Sequence, residues 1–154
     1  MAITKQIAKH VRDLHFGGNY TGVNLKQTID GVDWQEATTK YRSLNTIAAL
    51  VFHINYYIDA VLRVLQGAAL NAHDQDSYSH PSIKSEQDWQ TLLNKVFSDA
   101  EQFAQFIENL DDDKLDENFL DGKYGSYFRN LEGTVEHANY HLGQISIIKK
   151  MLRS

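Results

Sequence analysis

The sequence predicts an all-α fold of four main helices packed as a bundle, and three observations support this. Every long periodic segment repeats its apolar residues at three- and four-residue steps, the period of a helix rather than a strand. Only one proline interrupts 154 residues. Hydrophobic residues make up 42% and charged residues 23%, a balance that suits a packed core better than a disordered chain. A chain of this length is expected to form one domain over residues 1–154.

The elements follow in order. Ile3, Ile7, Val11 and Leu14 are spaced for a short amphipathic helix. Gly17, Gly18 and Gly22 then break it, and Leu25, Ile29 and Val32 resume the helical spacing. The first long element therefore reads as a helix interrupted by a loop. Asp33 with Glu36 has the form of a capping box, which predicts a brief turn of helix. Ser43 is placed to cap the second long helix, whose stripe runs Leu44, Ile47, Val51, Ile54, Ile58, Val61, Leu62 and Leu65 and stops at Gly67. Residues 68–84 read as a loop. Ser85 caps a third helix with the stripe Trp89, Leu92, Val96, Ala100, Phe103 and Ile107. The acidic run Asp111, Asp112 and Asp113 lacks the glycine and later glutamate of an EF-hand loop, so a solvated turn is expected. A partly extended connector over 114–130 leads into a last helix, marked by Leu131, Val135, Ala138, Leu142, Ile145, Ile148 and Leu152.

Charge and composition exclude several classes. The formal net charge of -5 argues against a nucleic-acid surface, which carries a basic excess or stripe. No apolar run is expected to reach the length of a membrane span, and the N-terminus shows no signal-peptide core, so a soluble, cytoplasmic protein is the default expectation. Cysteine is absent. Disulfides, thiolate ligands and a cysteine nucleophile are therefore excluded, and any thiol chemistry must use a thiol bound from outside the chain.

Chemistry concentrates in the last helix. His137 and His141 are four residues apart, so their rings lie one above the other on a single helical face. On the ridge Thr134, His137, His141, Ile145 each histidine takes a seat the pattern would give to a core residue. Buried imidazoles need partners. The spacing leaves two readings open: core histidines satisfied by hydrogen bonds, or two metal ligands. His53 is the only polar residue between Ile47 and Ile54 on the second long helix, and by itself it reads as a core histidine. A bundle can bring it opposite the pair, and three histidines without a fourth protein ligand are the arrangement of a catalytic metal site with an open position. Imidazoles suit zinc, nickel, iron or copper. The pair is not a zincin motif, which needs glutamate where Ala138 stands. His73 and His80, in the loop without periodic support, are expected to be solvated. Gln144 and Tyr57, one turn beyond His141 and His53, are candidates to orient the rings or face a substrate.

At these residues the chain resembles a known family. Ser43-Leu44-Asn45-Thr46-Ile47-Ala48-Ala49-Leu50-Val51-Phe52-His53-Ile54 and His137-Ala138-Asn139-Tyr140-His141-Leu142-Gly143-Gln144-Ile145 resemble the two signature segments of the DinB-like superfamily. The resemblance extends to the Gly17-Gly18-Asn19-Tyr20 break and to residues 25–32. It implies an up-down-down-up four-helix bundle, a homodimer, and a divalent metal, zinc or nickel, held by His53, His137 and His141. It also implies one of two functions. One is a metal-dependent transferase that activates a low-molecular-weight thiol of the bacillithiol type for attack on a small-molecule electrophile. The other is a non-catalytic metal-binding or stress-response protein of the same fold. The glycine-broken first helix departs from the plainest members.

Overall fold

The computed structural model describes residues 2–154 and contains six α-helices: α1 (Ile3–Phe16), α2 (Leu25–Ile29), α3 (Trp34–Thr38), α4 (Ile47–Leu65), α5 (Glu86–Glu108) and α6 (Tyr127–Leu152). Among the described residues there is no β-strand, only an isolated antiparallel bridge between Asn118 and Ser126. The long helices α1, α4, α5 and α6 make the bundle, α1 and α4 each bordering both α5 and α6.

Side-chain pairs fix the helix directions. Asp112, just past the end of α5, accepts hydrogen bonds from the backbone N–H groups of Ile3 and Thr4, while Arg12 pairs with Glu101 and Phe16 packs on Phe97. So α1 runs antiparallel to α5. The connection after α4 returns along that helix, with Tyr57 bonded to Asp74, His53 to Ser77, and the Phe52 ring beside His80. It delivers the chain back to the start of α4, so α5 runs parallel to α4. Val61 and Tyr57 line one groove with Arg129 and His137, and His53 lies against His137 and His141, so α6 runs antiparallel to α4. The order is up-down-down-up.

Helix ends follow the local chemistry. Ser85 Oγ accepts from the Asp88 N–H at 3.1 Å, and Asp88 reaches back to the Lys84 N–H at 2.9 Å, a reciprocal cap. Asp33 caps α3 by accepting from the Glu36 N–H at 2.8 Å. Glu36 itself turns away to Arg153 at the end of α6. At the end of α4 the Gly67 N–H bonds Val64 O and the Ala68 N–H bonds Arg63 O, with Gly67 at φ 90°. That is a Schellman stop, which needs a residue at ease in the left-handed region.

Four sequence expectations need correction. Ser43 does not cap α4. Arg42 takes φ 52° in a turn closed by Leu44 N–H to Tyr41 O, which delays the helix until Thr46 Oγ1 accepts from the Ala49 N–H at 3.1 Å. Leu44 is consequently exposed. The resumed first helix is only the five residues of α2, which contact both α1 and α6. The acidic run is more than a solvated turn, because Asp112 caps α1, whose own N-cap Ala2 has no side-chain acceptor. Finally, α4 is long and apolar enough to span a membrane by composition, with mean hydropathy 1.4 over an 18-residue window, yet 61% of that window is buried inside the bundle. Its apolarity serves the core.

His15 is the least comfortable core residue. It is 1% exposed, and its Nδ1–H donates to Val11 O at 2.7 Å, while Nε2 is buried without a partner. Burial pushes its pKa below the usual histidine range. With the unfolded value near 6.5, the unfolded chain takes up this proton first. Stability is then lost as pH falls below about 6.5, by up to about 1.4 kcal/mol per pH unit. His15→Phe is expected to remove this contribution, so urea unfolding should show the variant gaining on the native chain between pH 7 and pH 5. A constant difference across that range would contradict it.

Candidate metal centre

His53 comes from the middle of α4, and His137 and His141 from successive turns of α6. The helices bring all three together. One ligand nitrogen from each lies within 4.8 Å of the others, and His137 Nε2 is 3.0 Å from His53 Nε2. His53 and His141 are each 6% exposed, and His137 is half-buried.

The remaining ring nitrogens set the tautomers. His53 Nδ1 is 3.2 Å from the carbonyl oxygen of Ser77, and His141 Nδ1 is 2.7 Å from Gln144 Oε1. Both partners are acceptors, so both Nδ1 atoms carry the proton and both Nε2 atoms present a bare lone pair. His137 Nδ1 has no protein acceptor among the described residues, which leaves that ring free to expose either nitrogen. Without a metal, His137 Nε2–H can donate to His53 Nε2. Tetrahedral zinc with Zn–N near 2.0–2.1 Å needs nitrogens roughly 3.4 Å apart, between the 3.0 Å of the closest pair and the 4.8 Å that bounds all three. The donor set fits a divalent metal.

The electrostatics favour neutral rings at His53 and His137. Burial first, then repulsion from a charge on His141, lowers the pKa of His53, with the Ser77 carbonyl opposing. Burial and the charges of His141 and His53 lower that of His137 to about 4. A neutral imidazole is the form that binds metal.

Further groups surround the rings. Tyr78 stacks on His53 at a centroid distance of 3.8 Å and an interplanar angle of 5°. Tyr57 presents its edge or face to His53 and His137 and donates its O–H to Asp74 at 2.7 Å. Tyr140 packs against His141 and accepts from Gln144 Nε2 at 3.4 Å. The sequence expectation for Gln144 is met in position. Tyr57 is a wall of the site, hydrogen-bonded away from the rings. His73 and His80 stay outside the cluster. Ser77 and Tyr78 were missed, because a backbone carbonyl and a stacked ring in a non-periodic loop leave no sequence signal.

Among known proteins, the sequence profile described as the DinB superfamily matches residues 24–144, which include all three histidines. No curated protein and no solved structure gives a significant match.

Proposed function

The chain belongs to the DinB superfamily, and from that premise we propose that His53, His137 and His141 hold one divalent ion, zinc or nickel, and that the site activates a low-molecular-weight thiol for attack on a small electrophile. The observation that carries the reading is the commitment of two Nδ1–H groups to Ser77 O and Gln144 Oε1, which aims two lone pairs at the point His137 also faces. A bound divalent ion would supply Lewis acidity, lowering the pKa of a coordinated thiol. The chain's part is to orient the rings and to favour the neutral forms of His53 and His137. Burial lowers the pKa of His53 and, to about 4, that of His137, which favours those forms. The Tyr78 stack and the Ser77 carbonyl fix the plane of His53, and Gln144 fixes His141. Since the chain has no cysteine, the thiol comes from a small molecule.

The test begins with the metal content of protein purified without chelators. Zinc- or nickel-loaded protein would then be assayed for thiol loss with an electrophile such as a chloro-nitroarene or an epoxide. About one equivalent of metal and metal-dependent thiol consumption are expected. Metal binding with no consumption, across several thiols, would leave the non-catalytic member of the same fold as the function.

The homodimer belongs to the same proposal. Tyr140, Ile147 and Met151 are exposed at seven- and four-residue steps along α6, a stripe that a second copy would cover. Sedimentation at micromolar concentration is expected to give twice the chain mass. A monomer alone would remove this part.

A further inference from the structure

A groove of about 680 Å³ opens beside the triad and runs along α6 from His137 toward the start of that helix. Arg129, Gly133, His137 and His141 are spaced four apart, so they form one stripe on the helix face. Eight residues separate Arg129 from His137, about 12 Å along the axis. The groove is lined by Arg129 and Lys123 but by no aspartate or glutamate, in a chain with 20 acidic and 15 basic residues. Arg12, Arg63 and Arg153 each pair with a carboxylate. Among the described residues neither Arg129 nor Lys123 does, and the Lys123 ammonium rests 5.3 Å from the centroid of the Tyr124 ring.

Two glycines shape this end. Gly125 adopts φ 81°, and a Cβ there would sit 2.7 Å from Arg129 Cδ, so the arginine stem lies against bare backbone. Gly133, inside a helix where alanine is better tolerated, would meet nothing within 4 Å if it carried a Cβ. Packing does not require glycine at 133. Its effect is to leave the floor open between the cations and the histidines. Tyr57, Val61 and Tyr124 line the walls.

We propose that Arg129 and Lys123 form an anion subsite, and that the groove takes an elongated organic acid whose charged head binds there while its other end reaches the histidine triad. The unpaired guanidinium offers a planar fork to a carboxylate or phosphate, and the apolar walls suit a hydrocarbon or aromatic middle. The second contact rests on the metal reading above; the first does not.

Calorimetry on the zinc-loaded full chain would compare 6-mercaptohexanoate and 6-mercaptohexyl phosphate with uncharged 6-mercaptohexanol. At least one charged probe is expected to bind about tenfold tighter than the alcohol, the stronger one naming the head group. In the Arg129→Ala, Lys123→Ala double variant that advantage should shrink to within about twofold, with zinc affinity unchanged. Gly133→Ala should weaken the charged probe while raising the thermal midpoint, which separates a filled groove from a damaged fold. Equal binding of acid and alcohol, or an advantage that survives in the double variant, overturns the proposal. Should the chain take no zinc, hexanoate and hexyl phosphate against hexanol on the metal-free chain decide the anion subsite alone. A charge advantage lost in the double variant keeps the subsite and rejects the metal contact, and no advantage rejects the subsite.

Discussion

His141→Ala is expected to lower zinc affinity by more than about 100-fold, the upper end of what loss of an outer-shell partner alone costs. Among the described residues the three imidazoles are the one cluster placed to hold a metal ion, so in the proposed site removing one leaves two ligands and an opening on α6. The same substitution strands Gln144 Oε1, which accepts from His141 Nδ1 at 2.7 Å. Gln144→Ala separates these effects. It keeps all three rings and removes only the acceptor that fixes the His141 tautomer, so a loss of about 10- to 100-fold is expected. Competition titration against a chromogenic zinc chelator reads both variants on one scale. The order matters more than the absolute values: native chain tightest, Gln144→Ala intermediate, His141→Ala weakest. His141→Ala binding zinc as tightly as the native chain would end the three-histidine reading. Circular dichroism would check that the variant keeps its helix.

Periodicity made much of this legible in the sequence. The stripe on α5 is buried as the spacing requires, from Trp89 to Ile107, and so is that on α6 from Leu131 to Ile148 except for the half-buried Val135. The two α6 histidines share a face because four residues nearly complete a turn, and His53 stood out as a polar residue in an apolar run. What stayed hidden depends on contacts distant in sequence or made by the backbone. Asp112 caps α1 from more than a hundred residues away, and no local pattern encodes that. The start of α4 slipped from Ser43 to Thr46 because Arg42 adopts a positive φ, which arginine residues seldom signal. Ser77 reaches His53 through its carbonyl, an atom every residue has. The cationic end of the groove needed the fold itself, since Tyr57 and Val61 on α4 face it across the bundle.

Trp89→Ala is expected to be the most damaging single change in the core, at about 3–5 kcal/mol. Domains of this kind are held by only about 5–15 kcal/mol, so the loss takes a large share of the total. Trp89 is 0% exposed, and its Nε1–H donates to Val32 O at 2.9 Å. Two terms therefore contribute, a cavity and an orphaned carbonyl. Trp89→Phe divides them, because most of the ring volume stays while the Val32 carbonyl loses its donor at about 1–3 kcal/mol. Urea unfolding at pH 7 should place the midpoints in the order native, Trp89→Phe, Trp89→Ala. An alanine variant within about 1 kcal/mol of native would mean that the site collapses around the cavity or that this core is not packed as described. The position also makes a prediction about function. The Val32 segment is tied to the far end of α6, where Lys149 donates to the Thr28 and Asp30 carbonyls and Arg153 to the Gly31 carbonyl and Glu36. His141 lies two turns and more from that end, and no residue of the Val32 segment touches the triad. Effects at distant sites add independently, so Trp89→Phe, measured well below its midpoint, should bind zinc as the native chain does. A matching fall in zinc affinity would instead show that the end of the bundle sets the spacing of the three rings.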